Sequence, residues 1–475
     1  MKYKVLLINP IADDEAAFIR IGRCQTQAQP GIECWPPVDL ALIGSALKGV
    51  RGVDDIQLYD AQENKDYQAM SQFLIIEAPD IVILNCTTPT FFSDIELAKQ
   101  IKTQNKKSFI IFFGLHATAR SMEIMESLLV DCCVIGEPED AIQSVVEHYI
   151  NTGKDSFHQI HNILYLSNEN KIIETKRSED KSHVFLSQIP NRSLINNHYY
   201  KLQYNNKPFT IIQTSRGCPN KCIYCTASLY SPQYTSRTVG SVINEIEQCI
   251  EVYKIKNFMF LSDTFTADRK WVEEFCRVVL EKKIKFRWMS NSRIDKIDYS
   301  LAKLMKAAGC WIISLGIESS DENLLRDAKK NITRNQINQA VNDLHSAKIK
   351  IIGYFMFGLP GENKESIQNT IHFSKSLPLD YAYFYHTTPF PGTALYEMAQ
   401  KNRWLVTNDW RQYAHGKRAL LEYEDLPIRE VENALQTAYR KFYYRPGRVF
   451  KQLLTIRSVK VFFNNIRAAV NLLHK

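Results

Sequence analysis

The chain has 475 residues, 45% of them apolar and 23% charged, an ordinary globular balance that excludes wholesale disorder. The net charge of +8 is unevenly placed: residues 440–475 hold nine Lys/Arg and no Asp/Glu, and the other 439 residues carry 50 basic against 51 acidic groups. A body with no positive excess lacks the electrostatic footprint of a nucleic-acid binder, so DNA is not expected as a partner.

Roughly 100–200 residues per domain predicts two to four domains. No run reaches the roughly 18 uncharged apolar residues of a membrane span. Residues 1–10 are too short for a signal peptide and have no small-residue cleavage site. Eleven cysteines, an odd number, argue against a secreted disulfide framework. The expected location is the cytoplasm.

Along residues 1–150, apolar runs at 3–8, 56–59, 81–86, 109–113 and 132–135 alternate with helical patterns at 38–50, 94–103 and 122–129. The runs are continuous, as strands covered on both faces should be. They predict an α/β, Rossmann-like doubly wound parallel sheet, with ligands beyond the carboxyl ends of its strands. Residues 151–207 read as a connector containing a hairpin, with runs 163–167 and 171–176 flanking Asn168-Glu169-Asn170.

From 208 to 400 the rhythm resumes, with strands at 209–214, 257–262, 286–291, 311–316, 351–357 and 381–386. Helices are expected at 239–252, 271–281, 300–308, 334–347 and 364–376. Six such units predict a partial, open (βα)6 TIM-like barrel with active groups at the strand ends. Tyr381, Tyr383 and Tyr385 share one face of the last strand, either lining a pocket or packing as ordinary strand residues. Residues 401–475 read as mostly helical. They end in an apolar stripe of Ile456, Val459, Phe463, Ile466, Val470 and Leu473, with Lys451, Arg457, Lys460 and Arg467 off it. That tail suits a helix packed on the body or a peripheral contact with the inner membrane face.

Cys218-Pro219-Asn220-Lys221-Cys222-Ile223-Tyr224-Cys225 follows the strand at 209–214. With eleven cysteines this spacing arises by chance about 0.006 times per chain. Three thiolates from one loop leave a fourth position open. Tetrahedral zinc needs a fourth protein ligand, and no second Cys-x-x-Cys or His pair is adjacent. An iron–sulfur cluster with one iron free for a non-protein ligand fits better. Cys24, Cys34, Cys86, Cys132, Cys133, Cys249, Cys276 and Cys310 are expected to be buried, inert thiols.

The Cys-x₃-Cys-x-aromatic-Cys pattern, with Tyr224 as its aromatic, resembles the signature of the radical S-adenosylmethionine enzymes. The resemblance implies that Cys218, Cys222 and Cys225 hold a four-iron four-sulfur cluster. Its fourth iron would be chelated by S-adenosylmethionine, whose adenine rests near Tyr224. An electron from a donor such as flavodoxin or ferredoxin would then release a 5′-deoxyadenosyl radical that abstracts hydrogen from carbon. Further segments match in order at predicted strand ends. Leu261-Ser262-Asp263-Thr264 looks like the segment contacting the methionyl group, with Asp263 toward the ammonium. Asn291 and Arg293 lie in a segment similar to the third-strand lining. Gly316-Ile317-Glu318-Ser319 resembles the segment near the ribose. Gly358-Leu359-Pro360-Gly361-Glu362 and Pro389-Phe390-Pro391-Gly392-Thr393 look like family turns.

The first domain is similar to that of the branch carrying a cobalamin-binding domain, which includes methyltransferases and a tetrapyrrole ring cyclase. Asn9-Pro10, Pro36-Pro37, Thr87-Thr88-Pro89-Thr90, Gly114-Leu115-His116-Ala117-Thr118 and Gly136-Glu137-Pro138-Glu139 carry the likeness. It implies cobalamin contacts at Pro10, Thr87, Thr88, Thr90, Gly114, His116, Thr118, Gly136 and Glu137. No histidine has the Asp-x-His-x-x-Gly context that would ligate cobalt from below. Phe113 and Pro138 replace usual glycines, and Phe113 is expected to narrow the nucleotide groove. The implied activity is methylation of an unactivated carbon of a small-molecule or lipid-like substrate, using the cluster and cobalamin. The alternatives are a cyclase or oxidoreductase without methyl transfer, and a tRNA-modifying enzyme, against which the body's charge speaks. No further catalytic residue is identified.

Overall fold

The computed structural model describes residues 2–12, 14–28, 34–178, 180–202 and 205–446. The apolar runs form parallel strands β1 (Tyr3–Asn9), β2 (Val53–Asp60), β3 (Ile81–Asn85), β4 (Phe109–Phe113) and β5 (Cys132–Val134), in the order β2-β1-β3-β4-β5. Helices α1 (Val38–Leu47), α2 (Tyr67–Glu77), α3 (Phe91–Gln104) and α4 (Glu139–Thr152) cover both faces. Val5, Leu7, Ile83, Ile111 and Phe113 pack against Leu40, Ile43, Ile142 and Val145 on one side. Leu6, Ile8, Val82, Leu84 and Phe112 pack against Met70, Leu74, Leu97 and Ile101 on the other. Strand order reverses between β1 and β3, which opens a crevice at their carboxyl ends.

Phe113 is fully buried in the α1/α4 core, so it does not narrow a groove at the strand ends as expected. The alternation of side chains along β4 turns it inward. Phe113→Ala is accordingly expected to cost about 3–5 kcal/mol through the cavity it leaves, read as a lower urea midpoint.

The expected hairpin forms as β6 (Ile163–Leu166) and β7 (Ile172–Glu174), with Asn170 in the left-handed region at its turn. β6 pairs antiparallel with β5, so the hairpin extends the first sheet to seven strands.

A second sheet holds β8 (Thr210–Gln213), β9 (Asn257–Leu261), β10 (Arg287–Ser292), β11 (Cys310–Glu318), β12 (Lys350–Phe357) and β13 (Tyr381–His386), parallel and in sequence order. Its outer layer is α5 (Val239–Glu251), α6 (Arg269–Glu281), α7 (Tyr299–Ala307), α8 (Arg334–Ser346) and α9 (Lys364–Ser376). Each of these helices starts on a side chain that accepts a backbone N–H of the first turn: Thr238, Asp268, Asp298, Thr333 and Asn363. Such caps stabilise by about 1 kcal/mol each. Outward-facing Phe260, Trp288, Ile313, Phe355 and Phe384 are buried against the helices. Inward-facing Met259, Met289, Tyr354, Tyr383 and Tyr385 are only half-buried. A filled barrel packs its interior side chains fully, whereas these keep part of their surface exposed.

The last strand does not expose its edge. Helix α11 (Ile428–Tyr443), which follows α10 (Ala394–Lys401), lays two phenols along it. Tyr443 Oη accepts from Ala382 N (3.1 Å) and donates to Ala382 O (2.9 Å); Tyr439 Oη does the same at Phe384 (3.2 and 3.1 Å). The hydroxyls take the place of a seventh strand and block edge pairing.

The segment between α10 and α11 is not helical, contrary to expectation. It makes a single 3₁₀ turn capped by Asp409, a left-handed turn at Gly416 and isolated bridges, before Pro427 starts α11. Asp, Asn, Gly and Pro favour turns because they offer competing hydrogen bonds or restricted φ. The amphipathic stripe of residues 456–473 lies outside the described residues. Among the described residues, no helix is long and apolar enough to cross a membrane.

Candidate active site

β8 runs into Ser215–Arg216, which pairs antiparallel with Thr235–Ser236 and closes the loop that carries the three cysteines. Cys218, Cys222 and Cys225 are half-buried, whereas Cys86, Cys132, Cys133, Cys249, Cys276 and Cys310 are buried as expected. Cys24 and Cys34 are not fully buried, because they belong to the long β1–α1 loop rather than a core element. Among the described residues, no three His, Cys, Asp or Glu side chains converge on one point as a single metal ion requires. In a four-iron cube each cysteine sulfur binds a different iron, so the three thiols of this loop need not converge on one point.

Polar groups surround the sulfurs. Asn220 Nδ2 donates to Cys218 Sγ (3.4 Å), Thr264 Oγ1 lies 3.5 Å from the same sulfur, and Arg23 Nη1 donates to Cys225 Sγ (3.3 Å). The Cys222 thiol meets Lys329 O at 3.7 Å. Burial raises its pKa, while Lys330 and Arg293 act in the opposite direction.

The expected cofactor contacts are gathered around this loop, but several already have protein partners. Asp263 Oδ2 accepts from Gly217 N (2.9 Å) and Oδ1 pairs with Arg23 Nε (3.3 Å). A cofactor ammonium would be a third partner. Asn291 Nδ2 reaches Asp263 O (3.4 Å). Arg293 bonds Asp295 Oδ1 and the Lys330 carbonyl, both at 2.8 Å, so it holds the 329–330 turn against Cys222. Glu318 takes a positive φ of 64° and receives Lys330 Nζ at 3.0 Å. Gly316 leaves the room for that pair, since a Cβ there would lie 2.5 Å from Glu318 Oε1.

Tyr224 Oη and Thr214 Oγ1 are buried without a hydrogen-bond partner. Burial, then the nearby Glu318, pushes the Tyr224 phenol far up, so it stays a neutral donor. An unsatisfied buried hydroxyl on the same loop as the three thiols, that of Tyr224, is what a polar ligand would satisfy. The donor set fits a four-iron cluster carrying S-adenosylmethionine.

At the strand ends of the first domain, Thr87 and Thr90 hydroxyls bond each other (2.8 Å), and Thr90 also bonds Asp94 (2.7 Å). Pro10 is buried. Gly114 has φ +107°, and a Cβ would lie 2.1 Å from Asn85 Oδ1; its first duty is to admit that side chain rather than a ligand. Thr118 ties Gly114 O (2.8 Å) to Gly136 N (3.0 Å). Glu137 accepts from Ser231 Oγ (2.7 Å) and stands 3.5 Å from Arg216, which grips Glu139 at 2.9 and 2.6 Å. The 136–139 segment thus joins the two domains; Pro138 begins α4.

His116 packs between Phe91 and Trp410, with Nδ1 3.3 Å from Thr88 Oγ1 and Nε2 without a partner. Burial, then Arg120, pushes its pKa down to about 3, so the ring is neutral. Arg20, bound to Asp94 (2.8 Å) and Asn85 O (2.9 Å), lines the switch-point crevice with Asn9, Trp35, Asp39 and Gln62. Arg20 Nη2 and Gln62 Oε1 are buried there without partners, and burial raises the Asp39 carboxyl to about 6. Unsatisfied groups at the switch point are what a polar ligand group would satisfy. Arg20, Arg23, Asp39 and Arg216 were not predicted. Arg23 and Arg216 act across sequence separations that no local spacing marks.

Two family models match the chain, the B12 binding domain over residues 33–146 and the radical SAM superfamily over residues 212–374. The uncharacterized methyltransferase PH0819 of Pyrococcus horikoshii is 30% identical over 423 residues, 88% of this chain and 90% of its own. The anaerobic magnesium-protoporphyrin IX monomethyl ester cyclase of Cereibacter sphaeroides is 25% identical, covering 86% of this chain and 67% of its own. The cobalamin-dependent S-adenosylmethionine radical enzyme OxsB, solved with aqua-cobalamin and S-adenosylmethionine, shares the fold with a TM-score of 0.75 at 12% identity. That match covers 99% of this chain and 71% of OxsB. The chain belongs to the cobalamin-dependent radical S-adenosylmethionine methyltransferase family. It is an enzyme, and the family's cofactors are the four-iron four-sulfur cluster, S-adenosylmethionine and cobalamin.

Proposed function

We propose that this enzyme methylates an unactivated carbon of a small-molecule or lipid-like substrate held between its two domains. The observation that carries this is the junction itself. Arg216, two residues before Cys218, makes paired bonds to buried Glu139 at the strand ends of the first domain and stacks on Phe185 at 4.1 Å. A charge-assisted, two-pronged bond fixes orientation as well as distance, so the cysteine loop stays against the face where the other cofactor belongs.

When bound, the cluster with S-adenosylmethionine supplies a hydrogen-abstracting radical, and cobalamin supplies a methyl group. The protein's task is to position and to exclude water. The inward face of the second sheet, with the Tyr354, Tyr383 and Tyr385 rings 5.7–6.3 Å apart, offers a wall for substrate. Cys218, Cys222, Cys225, Tyr224, Thr264 and Glu318 are assigned to the cluster and S-adenosylmethionine. Thr88, His116 and the crevice residues are assigned to cobalamin. The reductant is a flavodoxin- or ferredoxin-like donor, and the setting is the cytoplasm, with the basic tail suited to an anionic membrane face.

Ring closure without methyl transfer is the second reading, favoured by the likeness to the cyclase. S-adenosylmethionine labelled in its methyl group, supplied anaerobically with dithionite and a deproteinised extract of the host, separates the two. Label is expected in a product other than methionine. Label recovered only in methionine would overturn methyl transfer and leave the cyclase reading.

A further inference from the structure

Arg23 belongs to the loop after β1, in the first domain, yet its guanidinium ends on the cysteine loop of the second. Nη1 donates to Cys225 Sγ (3.3 Å), Nη2 to Asp263 O (3.2 Å), and Nε pairs with Asp263 Oδ1 (3.3 Å). Asp263 Oδ2 in turn accepts from Gly217 N (2.9 Å). The chain Arg23–Asp263–Gly217 therefore braces the loop just before its first cysteine, while Arg23 itself touches the last. Neighbouring contacts hold this arm in place. Arg20 is paired with buried Asp94, and Gln25 Oε1 accepts from Thr88 N at 2.7 Å.

The surroundings of the sulfurs are unequal. Cys218 receives neutral groups, Asn220 and Thr264, whereas Cys225 receives a cation. Reduction adds negative charge to a cluster and its sulfurs. A fixed cation donating an N–H to one of those sulfurs stabilises the reduced form more than the oxidised one, and so raises the potential. The carboxylate of Asp263 offsets part of that charge. It lies on the Nε side of the fork, however, and leaves the Nη1–H on the sulfur.

We propose that Arg23 is a positioning residue of the first domain that sets the reduction potential of the cluster held by Cys218, Cys222 and Cys225. This rests on the reading of that trio as a four-iron site. It makes the ease of the first electron transfer depend on how the two domains are seated.

The test is a redox titration of the anaerobically reconstituted full chain, followed by the electron paramagnetic resonance of the reduced cluster. Arg23→Gln should hold as much iron and sulfide as the wild type, with its midpoint shifted to more negative potential. Arg23→Lys keeps the charge but not the fork, and should fall between the two. A midpoint for Arg23→Gln equal to that of the wild type, at full iron content, would overturn the proposal. Should Arg23→Gln fail to load iron, Arg23→Lys decides: a more negative midpoint supports the proposal and an unchanged one overturns it. Absence of sulfide-bearing iron in the wild type would sink the four-iron reading beneath it, an outcome distinct from an unchanged midpoint.

Discussion

Cys222→Ala is expected to lower iron and inorganic sulfide to background and to abolish cleavage of S-adenosylmethionine under dithionite, while cobalamin is still retained. Two thiolates on a short loop cannot hold a cube that needs three protein ligands. The structure also says why the other half should survive. Cys222 meets the turn at Lys329 within the second domain, whereas the seam between the domains is made by Arg216 with Glu139 and by Arg23 with Asp263. Absorbance, an iron count and cobalamin remaining after gel filtration read all three quantities. Joint loss of iron and cobalamin would show that the two sites share one foundation.

Glu245→Ala should be strongly destabilising. Glu245 is fully buried between two arginines. Arg192 reaches Oε1 at 2.5 Å, and Arg237 bonds Oε2. Arg192 also bonds Thr210 Oγ1 (2.5 Å) and Ile211 O (2.7 Å), and Arg237 bonds Gln213 O (3.1 Å). The triad therefore pins the connector and helix α5 to the first barrel strand. Removing its carboxylate strands two buried guanidiniums, at a cost of about 3–5 kcal/mol, visible as a lower urea midpoint at neutral pH.

The pH dependence follows from the same pair. Burial works to raise the Glu245 pKa, but Arg237 and Arg192 outweigh it and hold the carboxyl below its ordinary 4.5. A depressed folded-state pKa means stability that is complete above the ordinary value and lost as pH falls through the folded one. The wild type should therefore lose this contribution only below about pH 4.5. The Glu245→Ala protein, already lacking it, should show a shallower acid limb in a stability–pH series.

Most of the scaffold could be read from pattern. The five parallel strands of the first sheet and the six of the second lie within a few residues of their apolar runs; in the first sheet, helices cover both faces and leave few polar positions to blur the pattern. What could not be read was pairing. The hairpin at Ile163–Leu166 was legible as a hairpin, but its docking on β5 depends on an edge formed 30 residues earlier. The region after α10 misled because its polar and aromatic residues carry no clean period. Its Trp410 and Tyr413 instead pack over the first domain beside Phe91.

Of the site, the amino-acid order determined the chemistry: three thiols and an aromatic ring within eight consecutive residues carry their own geometry wherever the loop is placed. Side-chain direction and long-range partnership were decided only by the tertiary structure. Phe113 proved to be core, and Asp263 and Arg293 proved already engaged. Glu137 became a joint, and Arg23 came to rest on a sulfur 202 residues away. The physical reason is that a ligand set within one loop is held by short-range chain geometry. A charge meeting a sulfur across two domains exists only after both sheets have packed and their strand ends face each other.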